Sequence, residues 1–264
     1  MKFNRIYKEA LAVLSAGFVL TSYGNVKTDV KTNNTKVIEL VQNEVDTITP
    51  GSLQIKKEKK KPKVVKKNFY LKEDINLKDA ESSNIIIKAK KYDMGHTIEK
   101  TGNTYKVRIK NKNAYINKDK IGILSGTYVV ADLSSQTLKI YEGRKKVLET
   151  PIVSGTKTKT PSTEGCFKIY SKTRNRYLVG PGYKTYVDIM MKYHGGEGMH
   201  DAEYHTDYDI NGRVVRRHGW RNKNSFGGTT YLYNGSHGCL NMPHDAAIKA
   251  GKLLEVGDKV LVKE

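Results

Sequence analysis

Cys239 lies in the run Gly235-Ser236-His237-Gly238-Cys239-Leu240-Asn241, which holds most of what a thiol nucleophile requires. A cysteine attacks as its thiolate, so it needs a base or a lowered pKa; attack on a carbonyl also needs N–H groups aimed at the developing oxyanion. Gly238 opens the backbone to φ > 0, a conformation that exposes the thiol and turns neighbouring amides toward a substrate oxygen. Asn241 carries a short amide able to tie the loop by hydrogen bonds. Taken alone, a cysteine flanked by histidine equally suits a metal ligand or a small core residue. The upstream run Gly195-Gly196-Glu197-Gly198-Met199-His200-Asp201-Ala202 favours catalysis. It follows the strand-like segment Tyr186-Val187-Asp188-Ile189-Met190-Met191, and a glycine-rich approach to a histidine at a strand end can set an imidazole beside a thiol.

Elements that could position these residues run from Thr127 onward. Tyr128 to Leu133 and Thr137 to Tyr141 read as strands joined by Ser134-Ser135-Gln136. Glu142-Gly143-Arg144-Lys145 turns the chain into Val147 to Val153, and Gly165 to Tyr170 forms a further strand. One helix is predicted from Asp245 to Leu254, with Asp245 in its first turn and Gly257 in the turn beyond; Val260-Leu261-Val262 closes the chain as a strand. The fold class is mainly β, a sandwich with one supporting helix.

These motifs resemble the L,D-transpeptidase (YkuD-type) family, whose pattern is a histidine, a variable loop, and then Ser/Thr-His-Gly-Cys-x-Asn/Arg. The resemblance spans about Thr127 to Val262, within a domain placed at residues 126–264. Val130 to Tyr141 resembles the family's first hairpin, and Thr160-Pro161-Ser162-Thr163-Glu164-Gly165 its Thr-Pro-x-x-x-Gly segment. It implies a peptidoglycan cross-linking enzyme: Cys239 attacks the carbonyl before the terminal D-residue of a tetrapeptide stem, and His200 takes the thiol proton and returns it to the leaving D-alanine. The acyl group then passes to a side-chain amine of a second stem, giving 3-3 type cross-links. The resemblance also implies oxyanion donors around His237, Gly238 and Cys239, with Ser236, Asp201, Asn241 and His237 orienting substrate or a histidine. This chemistry needs no metal or organic cofactor.

The sequence departs from the family in one place. The interval from His200 to Cys239 is longer than usual, and the extra residues fall within Glu203 to Arg221. They bring a rival base, His218 in His218-Gly219-Trp220; His200 is preferred because Gly198-Met199-His200-Asp201 matches the family pattern. The insertion reads as a lid or cleft-edge loop, or else as a solvated hairpin. His194, His205 and His244 match neither a His-Glu-x-x-His helix nor a Cys-x-x-Cys pair, so no zinc site is expected. Cys166, the other cysteine, reads as a small hydrophobe in a strand.

The rest of the chain has a different composition. Lys2, Arg5 and Lys8 precede an apolar run, Ala10 to Leu20, and the polar exit Thr21-Ser22-Tyr23-Gly24; residues 1–24 read as a signal peptide or an N-terminal anchor. Residues 25–67 read as a basic disordered linker, and the lysine-rich stretch Lys56 to Lys67 suits anionic wall polymers or a membrane surface. Residues 68–121 alternate short apolar pieces with turns at Gly95, Gly102-Asn103 and Asn111 to Asn113. They resemble a small bacterial SH3-like β-barrel through Ile75-Asn76-Leu77, Ser82-Ser83-Asn84, Met94-Gly95, Tyr105-Lys106-Val107 and Tyr115-Ile116.

The formal charge of +20 favours a polyanionic partner. Residues 1–121 carry a net +13 and residues 122–264 a net +7, so the excess lies away from the candidate site. An exported protein leaves no role for nucleic acid; the expected location is the cell wall or the outer face of the membrane. Two other readings stay open: an L,D-carboxypeptidase in which water takes the acyl group, and a non-catalytic wall-binding protein. An NlpC/P60-like peptidase is disfavoured by chain order, since those enzymes place Cys before His.

Overall fold

The computed structural model describes residues 66–78, 84–180 and 182–264. The signal peptide or anchor, nearly all of the basic linker and Ser82-Ser83 lie outside the described residues. Among the described residues no helix is long and apolar enough to cross a membrane.

The first strands are β1 (Asn68–Leu71), β2 (Ile75–Lys78), β3 (Ile85–Ala89), β4 (Met94–Thr101), β5 (Thr104–Ile109), β6 (Lys112–Asn117) and β7 (Ile121–Leu124). They form an open five-stranded sheet in the order β6-β5-β4-β1-β7 beside the separate hairpin β2-β3. Lys110 and Asn111 both have positive φ, which is the geometry of a two-residue hairpin turn between β5 and β6. Gly95 is not in a turn. It pairs with Phe69 and Ile109 inside β4, where the Phe69 ring fills the space a side chain would take.

The remaining strands are β8 (Thr127–Asp132), β9 (Thr137–Glu142), β10 (Lys145–Pro151), β11 (Gly165–Lys168), β12 (Ser171–Gly180), β13 (Tyr183–His194), β14 (Glu197–Asp201), β15 (His205–Tyr208), β16 (Val214–His218), β17 (Leu240–Met242) and β18 (Lys259–Lys263). Two helices join them, the short α1 (Tyr231–Asn234) and α2 (His244–Leu253). One sheet has the order β10-β9-β8-β18-β11 and another β12-β13-β14-β17, while β15 and β16 pair as a hairpin. Between the two sheets and under α2 lies a core that includes Leu138, Ile140, Ile189, Met191, Met199, Leu240, Ala247 and Val260. The expected sandwich and supporting helix are both present. The alternating apolar residues of β9 bury one face, while the continuous apolar run of β8 and the nearly continuous one of β13 are buried more fully.

The strip Val153 to Thr156, just past β10, holds the cysteine loop. Val153 and Asn241 exchange backbone hydrogen bonds of 2.9 Å, Ser236 N–H donates to Ser154 O at 2.8 Å, and Thr156 N–H donates to Ser236 O at 3.0 Å. The strip is itself fixed by the buried Gln136, whose amide donates to Leu133 O and Ser154 Oγ and accepts from Ser154 N–H. Gly155 has no room for a side chain: a Cβ there would sit 2.0 Å from Thr160 O and 2.7 Å from Ser162 N, both backbone atoms. Gly155→Ala is therefore expected to cost roughly 1–3 kcal/mol by overpacking. Urea denaturation checks this, and an unchanged midpoint would show that the strip is free to shift.

Candidate active site

Parallel pairing of β14 with β17 sets His200 opposite Asn241, and Cys239 immediately precedes β17. His200 lies within β14, not past its end, and is almost wholly buried. Cys239 is half-buried, and both cysteines are free thiols. The two side chains sit against the floor of a cleft of about 590 Å³, walled by Tyr183 and Lys184, by Trp220 and Arg221, and by His237.

Side chains from neighbouring segments brace the loop. Gly238 has φ +106°, a conformation that only glycine adopts without strain, and Ser162 Oγ donates to its carbonyl at 2.7 Å. Thr160 Oγ1 donates to Ser236 O at 2.6 Å. Ser236 Oγ donates to Cys239 O at 2.5 Å and accepts from Gly238 N–H at 3.1 Å. Ser236 thus braces the loop and touches no histidine, and the Gly238 amide is already engaged. His237 is exposed and stacks on Tyr183 at 5.7 Å between ring centroids. The Thr160 to Gly165 segment, which in sequence is only a motif, is the part that clamps the loop.

His200 Nδ1 lies 2.9 Å from the Asp201 carbonyl oxygen. A carbonyl only accepts, so the proton sits on Nδ1 and the Nε2 lone pair is free. Only one orientation of the Asn241 amide pairs donors with acceptors: its oxygen accepts from Arg221 Nε at 2.8 Å and Nη2 at 3.2 Å, and its nitrogen donates to His200 Nε2 at 3.1 Å. The Asp201 carboxylate faces away from His200 and takes N–H bonds from Asp188 and Ile189. Asp201 thus orients the imidazole through its carbonyl.

The two ionisable groups shift each other. Burial pushes the Cys239 thiol up, but the hydrogen bond and charge of His200, with the Gly198 N–H, bring it below its ordinary value. Burial would lower His200, yet its hydrogen bond and charge interaction with Cys239, helped by Asp201, lift it above the usual imidazole value. Glu197, held by Thr163 and Tyr193, opposes the thiolate. Burial brings the Arg221 guanidinium down to about 10, so it stays protonated at neutral pH.

His218 is placed elsewhere. Its Nε2 lies 2.7 Å from Asp207 Oδ2 and its Nδ1 faces Asp188 Oδ2, so neither nitrogen is directed to Cys239. The insertion from Glu203 to Arg221 is the hairpin β15-β16. Its distal residues Tyr208, Ile210 and Val215 are exposed, while its returning end supplies Gly219, Trp220 and Arg221 to the cleft wall. Cys166 lies in β11 against the cluster of Leu124, Tyr128, Val130 and Leu261. Arg221 and Trp220 were not legible as site residues, since nothing in their local sequence marks an arginine that reaches a catalytic-loop amide.

The family model for the L,D-transpeptidase catalytic domain (YkuD) matches residues 126–262. No curated protein matches the chain. A crystal structure of an Enterococcus faecium L,D-transpeptidase mutant is 30% identical over 53% of this chain and 50% of that one, with a TM-score of 0.44. The matched region thus spans half the length of that relative. The catalytic domain of an E. faecium L,D-transpeptidase acylated by ertapenem, solved by NMR, is 31% identical over 53% of this chain and 99% of that one (TM-score 0.43). An L,D-transpeptidase from Mycobacterium tuberculosis H37Rv is 18% identical over 66% and 73% of the two chains (TM-score 0.39).

Two outcomes are expected from this geometry. The pH at which Cys239 gains reactivity toward iodoacetamide should lie below that of an ordinary thiol, and His200→Gln should move it upward, since the hydrogen bond and charge that favour the thiolate are lost. Asn241→Ala should cost about 1–3 kcal/mol in urea denaturation, because it leaves the buried Arg221 guanidinium short of an acceptor.

Proposed function

The chain belongs to the YkuD family of L,D-transpeptidase catalytic domains, and on that premise we propose that it is a peptidoglycan L,D-transpeptidase forming 3-3 cross-links through an acyl-enzyme on Cys239. The observation that carries this reading is the buried His200 imidazole, with its Nδ1 proton held by Asp201 O and its Nε2 lone pair on the side of Asn241 and the thiol. A non-catalytic wall-binding protein has no need of a histidine and a cysteine that shift each other's protonation.

The Cys239 thiolate adds to the stem carbonyl that precedes the terminal D-alanine. The oxyanion is met by N–H groups of the cysteine loop, with His237 and Cys239 the donors left once Gly238 N–H is committed to Ser236. Collapse of the tetrahedral adduct breaks the C–N bond, and protonated His200 gives its proton to the departing amine. Neutral His200 then takes a proton from the incoming side-chain amine as that nitrogen attacks the thioester, and Cys239 leaves as thiolate. Each step conserves charge and requires no group beyond the chain and its two stems. Lys184 and Arg221 make the cleft wall basic and suit an anionic stem.

The proposal extends to the rest of the chain. Export rests on the charged and apolar order of residues 1–24, wall or membrane contact on Lys56 to Lys67, and a spacer or targeting role on residues 68–121 as an SH3-like module. The domain limits are those given above. Mass spectrometry of the protein with a disaccharide-tetrapeptide, and separately with a carbapenem, tests the reading. Expected are an adduct on Cys239 and a cross-linked dimer; trimmed tripeptide alone would reassign the chain as an L,D-carboxypeptidase, and no adduct with either compound would end the proposal. His200→Ala should abolish acylation and His218→Ala should retain it.

A further inference from the structure

Behind the cleft, three histidines and two aspartates converge from four separate elements. Asp188 Oδ2, on β13, lies 3.4 Å from His205 Nε2 of β15, 3.1 Å from His218 Nδ1 of β16 and 3.4 Å from His244 Nδ1 at the start of α2. None of these approaches is a hydrogen bond. Asp188 Oδ2, His218 Nδ1 and His244 Nδ1 are buried atoms with no hydrogen-bond partner, and the His218 side chain is only 2% exposed.

The outer nitrogens decide what the inner ones carry. His205 Nδ1 lies 3.1 Å from the Glu203 carbonyl oxygen, so that nitrogen holds the proton and the Nε2 lone pair faces Asp188. His218 Nε2 lies 2.7 Å from the Asp207 carboxylate, so its proton sits on Nε2 and the Nδ1 lone pair faces the same oxygen. Two lone pairs and a carboxylate oxygen, gathered where water is scarce, repel one another unless a cation stands between them. Imidazoles whose far N–H is held by a carbonyl or a carboxylate are the outer-shell arrangement of metal-bound histidine. Ligand atoms at about 2.0–2.1 Å from a tetrahedral zinc ion lie roughly 3.3 Å apart, close to the 3.4 Å that separates His205 Nε2 and His244 Nδ1 from Asp188 Oδ2. The Asp188, His205 and His244 ligand atoms also lie within 4.8 Å of one another.

We propose that Asp188, His205 and His244 bind one Zn²⁺ ion, which pins the inserted hairpin to the catalytic scaffold. Two imidazoles and one carboxylate suit zinc. Neither Cys239 nor His200 supplies a ligand, so the ion is structural and takes no part in acyl transfer. His205 pairs with His218, which is followed directly by Gly219, Trp220 and Arg221, so the ion holds the base of the hairpin that leads into this side of the cleft wall. Spacing along the chain does not disclose the site, because its ligands lie on three elements and none forms a short local pair.

Trp220 is the single tryptophan and sits two residues past His218, the strand partner of the ligand His205, which makes its fluorescence a reporter. The test uses the untagged full chain, stripped with EDTA, desalted and titrated with Zn²⁺, with metal content read by mass spectrometry and Trp220 emission followed in parallel. Expected are one equivalent of zinc per chain, a saturable emission change and a higher Tm with metal. His205→Ala and His244→Ala should each weaken binding by about 100-fold or more, in line with loss of one of three ligands, whereas Cys239→Ala should bind fully. The part-exposed His244 is the variant least prone to misfolding, and circular dichroism checks its fold. No stoichiometric binding by the native chain overturns the proposal; so does binding that survives both histidine substitutions or is lost with Cys239. Carbapenem acylation is read separately, because Cys239 and His200 contribute no ligand.

Discussion

The parallel register between β14 and β17 is the constraint on which the site depends. It aligns Met199 with Leu240, His200 with Asn241 and Asp201 with Met242, and so brings residues about forty positions apart into one row. Parallel strands cannot be joined by a tight turn, so the chain must travel between them. The inserted hairpin, α1 and the cysteine loop occupy that path. A slip of one residue would turn His200 from the cleft to the opposite face, since side chains alternate along a strand. The apolar neighbours Met199, Leu240 and Met242, all buried, hold the register in place.

Within that frame the polar groups form one continuous chain. While His200 is neutral, Arg221 donates to Asn241, Asn241 to His200, and His200 to the Asp201 carbonyl, and Ser236, Ser162 and Thr160 brace the loop that carries the thiol. Such a network is costly if any member is left unpaired, because each group is buried. The same burial that penalises a lone thiolate strengthens its attraction to the imidazolium, and the mutual interaction wins.

The hairpin β15-β16 has two different ends. Its tip exposes Tyr208 and Ile210, while its base turns His205 and His218 toward Asp188 and carries Trp220 and Arg221 into the cleft. It is therefore neither a simple lid nor a solvated appendage. Asp188 links this base to the catalytic row, since its own N–H is held by the Asp201 carboxylate, whose residue also supplies the carbonyl that orients His200.

Much of this was readable from the linear chain, namely the strands flanking Gly143, the helix before Gly257, the thiol loop and the preferred histidine. These are local properties, set by alternation, turn residues and the reach of a few consecutive side chains. The choice of His200 over His218 has a physical basis visible only in the fold: both ring nitrogens of His218 face carboxylates, Asp207 and Asp188, and those of His200 do not. Gly95 differs from its expected turn for the same kind of reason, since a packed phenyl ring claims the space beside it. Asp201 orients His200 by its carbonyl, because its carboxylate is taken by N–H groups of β13. Arg221, Asn241's orientation and the gathering of three histidines about Asp188 came from tertiary structure alone, because each depends on distant segments being held at hydrogen-bonding or ligand distance, and no spacing along the chain encodes that.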